Sequence, residues 1–347
     1  MEIPPRTIKR FARKAIKNID RIFNPAPNSS YKADELVRAL VETCIANGSA
    51  ERCLKPSPDT MLRRLHQVDE GALGQVIRKS NAKLLKKLQL PRRVILAIDC
   101  RDLPYYGVEQ PGLVRVKLPG TRLGVRFAML SIVERGRTFT LMTKQVGQSG
   151  PRVEILEEML EAIRGLVEPR IILMDRGFFT VEVIKLLKLR RIHLLMPAKR
   201  TAPIEKLRES FERGEIPPIA DHTMKGHKGS VRVKLIFVRR KTEEGEETHI
   251  FVSDLALKPA AASELYYCRW RIETNNRELK KFMARTTSQN MKLRRAYYSL
   301  ATLFYNLWIF LRNILGQLRS HEFKSILHFQ LNNASTMQIA LGPGPPL

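Results

Sequence analysis

Three acids stand out by their settings. Asp99 closes the short apolar run VILAID (94–99), Asp175 closes RIILMD (170–175), and Glu273 sits inside the cationic stretch YYCRWRIETNNRELKK (266–281). In an α/β sheet, side chains at the carboxyl ends of parallel strands are held rigidly yet face a crevice. Loop entry or helix capping is the plainer reading of either aspartate alone, whereas two in the same context point to chemistry. Carboxylate oxygens suit hard divalent cations. Two such ions roughly 3.5–4 Å apart neutralise the attacking and leaving oxygens when a phosphodiester is cut. Asp99, Asp175 and Glu273, drawn from separate segments, make a minimal ligand set for them.

The cations around Glu273 follow a pattern. SELYYCRWRIETNNRELKKFMA contains neither Gly nor Pro, which predicts one continuous helix. At about 100° per residue, Tyr266, Arg269, Glu273, Arg277 and Lys280 share a stripe about 80° wide, with Cys268, Ile272, Leu279 and Phe282 opposite, facing a core. An ion-paired surface helix is the competing reading, but there charges spread over a wide arc and alternate in sign at i,i+4. In the catalytic reading Glu273 binds metal and the cations grip phosphates. Tyr266 or Trp270 then stacks on a base or packs against the backbone. Two other acids fit less well. Asp102 opens what reads as a loop containing Pro104, and Glu278 lies off the stripe.

The elements that must position these residues are legible in outline. The 347 residues suit two domains, and 44% hydrophobic content supports a sizeable core. Sixty-one Lys and Arg face 34 Asp and Glu, a net charge of +27, which draws a polyanion. Nucleic acid is the leading candidate, with an anionic membrane or a merely solvated basic surface as alternatives. Four scattered cysteines without a CxxC pair argue against zinc or disulfides and fit a reducing cytosol. The basic N-terminus has no uninterrupted apolar run, so it does not read as a secretory signal. The apolar stretch 296–311 is short and contains Asn306, which predicts a buried helix rather than a membrane span.

Along the chain, residues 1–90 read as a basic helical region, either a helix-turn-helix-like DNA-binding reader or a plain bundle with a charged face. Residues 91–199 read as β-β-β-α-β-α-β: strands near 94–99, 125–133, 138–146, 170–175 and 193–197, helices over 151–166 and 181–189. That order implies a mixed α/β sheet covered on both faces. Residues 200–258 read as a strand-rich insertion, 259–318 as the second part of the core with the Glu273 helix, and 319–347 as a tail.

The spacing Tyr-x2-Arg-x3-Glu-x6-Lys at Tyr266, Arg269, Glu273 and Lys280 resembles the signature of DDE transposases of the insertion-sequence-four type. LAIDCRDLPYYG around Asp99 and LMDRGFF around Asp175 resemble that family's first and second acid regions, and the likeness spans about 91–310. The resemblance implies an RNase H-like core and two Mg2+ ions, with Mn2+ able to substitute, held by Asp99, Asp175 and Glu273. It also implies cleavage at the ends of a mobile element and attack of the liberated 3′-hydroxyl on target DNA. Tyr266, Arg269 and Lys280 would contact DNA near the cleaved end, where a hairpin's 5′ phosphate is one candidate, with Arg277 and Trp270 beside them. Double-stranded DNA is the implied partner, a homodimer the implied assembly on it, and the cytoplasm, at the nucleoid, the implied location. A non-catalytic DNA-binding descendant of a transposase, or a nuclease that does not join strands, would keep much of the same sequence.

Overall fold

The computed structural model describes residues 19–23, 25–53, 55–134, 137–147, 152–243 and 245–332, so most of the basic segment 1–30 and residues 333–347 of the tail lie outside it. The helices are α1 (Ala33–Ile45), α2 (Pro58–His66), α3 (Glu70–Leu85), α4 (Arg152–Ala162), α5 (Val181–Leu189), α6 (Ala202–Glu212), α7 (Pro259–Tyr267), α8 (Trp270–Leu279), α9 (Met291–Leu315) and α10 (Ser320–Asn332). The strands are β1 (Arg93–Tyr105), β2 (Val114–Leu118), β3 (Thr121–Glu134), β4 (Arg137–Val146), β5 (Glu168–Leu173), β6 (His193–Pro197), β7 (Ile219–Gly226), β8 (Gly229–Thr242) and β9 (Gly245–Ser253). They divide into two compact units: residues 85–278, which contain the strands, and residues 1–84 together with 279–347.

In the strand-bearing unit one mixed sheet runs β2-β3-β1-β5-β6-β9-β8-β7, with β4 also paired to β3. β1, β3 and β4 are antiparallel, while β5 and β6 run parallel to β1 and to each other. Val94–Ile98, Ile171–Leu173 and Leu194–Met196 are buried, as expected of central strands covered on both faces. Thr180 caps α5, its hydroxyl accepting from the Val183 amide at 3.3 Å, and starts the crossover that returns the chain to β6. The α/β sheet flanked by helices expected from the sequence is therefore present.

Several boundaries differ from the sequence reading. β1 does not end at Asp99 but continues through Asp102 and Pro104, paired with β3 along its length. Its parallel pairing with β5 does stop at Ala97–Leu173, so Asp99 still lies just past the parallel rungs. Asp175 follows β5 rather than ending it. β2 was not foreseen. The strands of the 200–258 segment extend the main sheet, because β9 pairs antiparallel with β6. Residues 279–318, read as core, group instead with the N-terminal helices.

In that helical unit Asn47, at φ +50°, turns the chain out of α1, and its amide donates to the carbonyls of Lys280 (2.9 Å) and Met283 (3.1 Å). The apolar stretch 296–311 is almost wholly buried within α9, with Asn306 donating to Asn81 at 3.0 Å. Among the described residues no helix is long and apolar enough to cross a membrane.

Candidate active site

Glu273 rides on α8, which is fastened to the sheet from its own first turn. The Arg271 guanidinium donates to the carbonyls of Glu134 and Val133 at the end of β3, and Ile272 is fully buried. The expected continuous helix is broken: α7 ends at Tyr267 and α8 begins at Trp270. Between them the amides of Cys268, Arg269, Arg271 and Ile272 bond three residues back, a tightened helical path rather than a reversal. Three members of the predicted stripe, Tyr266, Arg269 and Glu273, still meet. Arg269 still reaches Glu273 one turn later, Nη2 to Oε1 at 3.0 Å. Its Nη1 lies 3.6 Å from Asp99 Oδ1, and its guanidinium lies over the Tyr266 ring, 5.4 Å from the centroid. Tyr266 is held in turn by Phe251, ring centroids 5.0 Å apart.

One guanidinium therefore joins two of the three acids. Arg269 is only 12% exposed and Asp99 15%, whereas Glu273 is 43% exposed and faces the open side. Burial pushes the Asp99 carboxyl up to about 6; Arg269 and the Cys100 amide pull it down, and the negative charges of Asp175 and Glu273 push it up again. Both other acids thus lie within electrostatic reach of Asp99. Burial disfavours charge on Arg269 too, but Tyr266, Asp99 and Glu273 outweigh it and hold its pKa above the usual arginine value.

Asp175 caps the short turn Arg176–Phe178, its Oδ1 accepting from the Gly177 amide at 2.8 Å. The capping role that the sequence left open is real, and it leaves Oδ2 outside the turn. Among the described residues no three Asp, Glu, His or Cys side chains converge on a single ion. Mg2+, however, commonly takes one or two carboxylates and completes its shell with water and substrate phosphate. The donor chemistry fits a divalent ion, and the shared guanidinium marks where positive charge is already accepted between Asp99 and Glu273.

Beside the acids a pocket of about 200 Å³ is lined by Arg176, Lys199, Arg200, Arg240, Arg269 and Trp270, among others. Trp270 is 55% exposed at its rim. Arg277 is exposed on the last turn of α8, while Lys280 belongs to the other unit, its backbone tied to Asn47. Sequence reading missed Lys199, Arg200 and Arg240, for which no spacing signal exists, and Arg176, whose place directly after Asp175 was the available clue. It also missed that Arg126 on β3 holds Asp102 through two contacts, at 2.6 and 2.8 Å.

A family model described as a transposase DDE domain matches residues 121–307, a span that takes in Asp175 and Glu273 but begins after Asp99. Among solved structures, a piggyBac transposase synaptic complex with hairpin DNA is similar in fold: TM-score 0.62 at 12% sequence identity, over 95% of this chain and 80% of that one. No curated protein matches the sequence. With the family match running over more than half of its length, the chain belongs to the transposase DDE domain family.

Proposed function

We propose that this protein is a transposase of the insertion-sequence-four type that cuts the ends of its element and joins them to target DNA. Asp99, Asp175 and Glu273 would hold two Mg2+ ions, for which Mn2+ substitutes. The observation that carries the reading is the Arg269 bridge, which brings Asp99 and Glu273, 174 residues apart in sequence, to one cation. Bound metal would supply an activated hydroxyl nucleophile and neutralise charge on the scissile phosphate.

The protein's own groups do the rest. Burial and the two neighbouring acids make Asp99 costly to ionise, so it is poised to receive a cation. The Asp175 cap fixes one acid oxygen by the Gly177 amide. Arg176, Lys199, Arg200 and Arg240 would hold the phosphates of a distorted DNA end, with Trp270 and Tyr266 offering faces for a base. Arg277 and Lys280 would each contact DNA phosphates. A hairpin at the cleaved end is consistent with this pocket and with the DNA held by the structurally similar piggyBac complex. We place the protein on double-stranded DNA at the nucleoid, as a homodimer when two ends are paired.

The test is incubation with a supercoiled plasmid carrying the DNA that flanks the coding region, with Mg2+ or Mn2+. Nicking followed by joined products is expected. Binding without nicking would instead identify a non-catalytic DNA-binding descendant, and nicking without joining a plain nuclease.

A further inference from the structure

Arg269 is an incompletely satisfied cation. It divides itself between two carboxylates, at 3.6 and 3.0 Å, and the Tyr266 side chain, while its Nε–H is buried without a hydrogen-bond partner. A buried guanidinium donor left unbonded is costly, so the arrangement favours exchange of partners. Two competitors are at hand. A divalent ion would take the same carboxylate oxygens, and the guanidinium and the metal cannot both sit between them, because like charges repel in a half-buried site. On its other side Arg269 lines the pocket with Arg176, Lys199, Arg200 and Arg240, whose concentrated positive charge draws an oxyanion. A tetrahedral dianion there offers the planar fork a bidentate partner that the two separated acids do not.

We propose that Arg269 is an internal counter-ion that occupies the Asp99–Glu273 site in the DNA-free protein and is drawn off it when a phosphate enters the adjacent pocket, so that phosphate binding promotes metal binding. The claim rests on the metal-binding reading above and adds a direction to it: each ligand tightens the other by the same factor. It makes Arg269 a positioning residue for the metal. It would also keep the carboxylates from binding metal productively before DNA is in place.

The test is a Mn2+ titration of the DNA-free protein, read by the loss of the free-ion resonance signal. Arg269→Gln is expected to bind Mn2+ about tenfold more tightly than the parent. Arg269→Lys, which cannot span both acids, should fall between them. Introducing Asp99→Asn into Arg269→Gln should abolish the gain. Adding sodium sulfate, against sodium chloride of equal ionic strength, should tighten Mn2+ binding by the parent but not by Arg269→Gln. Equal or weaker binding by Arg269→Gln, a gain that survives Asp99→Asn, or sulfate acting alike on both proteins would overturn the proposal.

A readout without substitution guards against misfolding. The Arg269 side-chain NH signal of the 15N-labelled parent, assigned by its absence from Arg269→Lys, should shift on adding Mg2+; metal binding that leaves it unmoved also overturns the proposal. None of these measurements uses cleavage, so a failed plasmid assay would count against the transposase reading and not against this one.

Discussion

Three residues apart on β1, two aspartates meet arginines in opposite ways. Asp102 is locked to Arg126 on the neighbouring strand by two short contacts, directly across a paired position. Asp99 shares Arg269 with Glu273, at a longer distance, and that arginine keeps a buried donor unbonded. The first is a closed pair, in which each partner satisfies the other and neither is available to a ligand. The second is open, with more acid than cation. Proximity of charge is common to both; residual demand belongs only to the second, and it is what identifies a site for exchange.

The largest expected effect separates the two directly. Glu273→Gln should reduce plasmid cleavage by more than about a thousandfold, on the scale of losing a group that acts on the reacting centre, with DNA binding within about twofold of the parent. Asp102→Ala should keep cleavage within about tenfold. Loss of cleavage by Asp102→Ala matching that by Glu273→Gln would erase the distinction between the closed and the open pair.

Stability should respond in the reverse sense. Asp102→Ala leaves Arg126 without its partner between two strands and should lower unfolding free energy by about 1–3 kcal/mol in urea titrations. Asp99→Asn should raise it by about 2–3 kcal/mol at pH 7.5 without metal, since a carboxyl held at about 6 in the fold, against an ordinary aspartate value of 3.8, is destabilising once ionised. The sign follows from proton binding: between those two values the folded protein holds more protons than the unfolded chain, so stability falls as pH rises. The gain from Asn should accordingly be absent below about pH 4, grow to about pH 6 and then level off. A gain that is flat with pH would remove Asp99 from the buried, like-charged setting described. Smallest of all, Trp270→Ala should weaken binding of an end-bearing duplex by about tenfold, the scale of one lost stacking contact.

How much of this could be read from the chain follows the range of the interactions. β5 and β6 show as apolar runs because burial on both faces leaves a local imprint. The true length of β1 does not: Asp102 and Pro104 read as a loop until Arg126, supplied by the register with β3, accounts for Asp102. The Tyr-Arg-Glu spacing was sufficient to bring Arg269 to Glu273, since one helical turn fixes that distance even across a tightened joint. The joint itself left no trace, there being no Gly or Pro at Cys268–Arg269. The arginines and lysine of the pocket come from strands and turns far apart in sequence, and among 61 cations nothing local distinguishes them.

The helical unit is assembled from both ends of the chain, and Asn47 is its clasp, holding backbone carbonyls more than 230 residues downstream. During synthesis the sheet emerges as one contiguous stretch and is free to fold at once, while the first helices wait for their closing partners. At typical elongation rates of roughly 5–20 residues per second, that interval is on the order of 10–40 s. For so long, the nascent N-terminal helices carry unfilled apolar faces, and they are the part of the polypeptide most in need of chaperone cover.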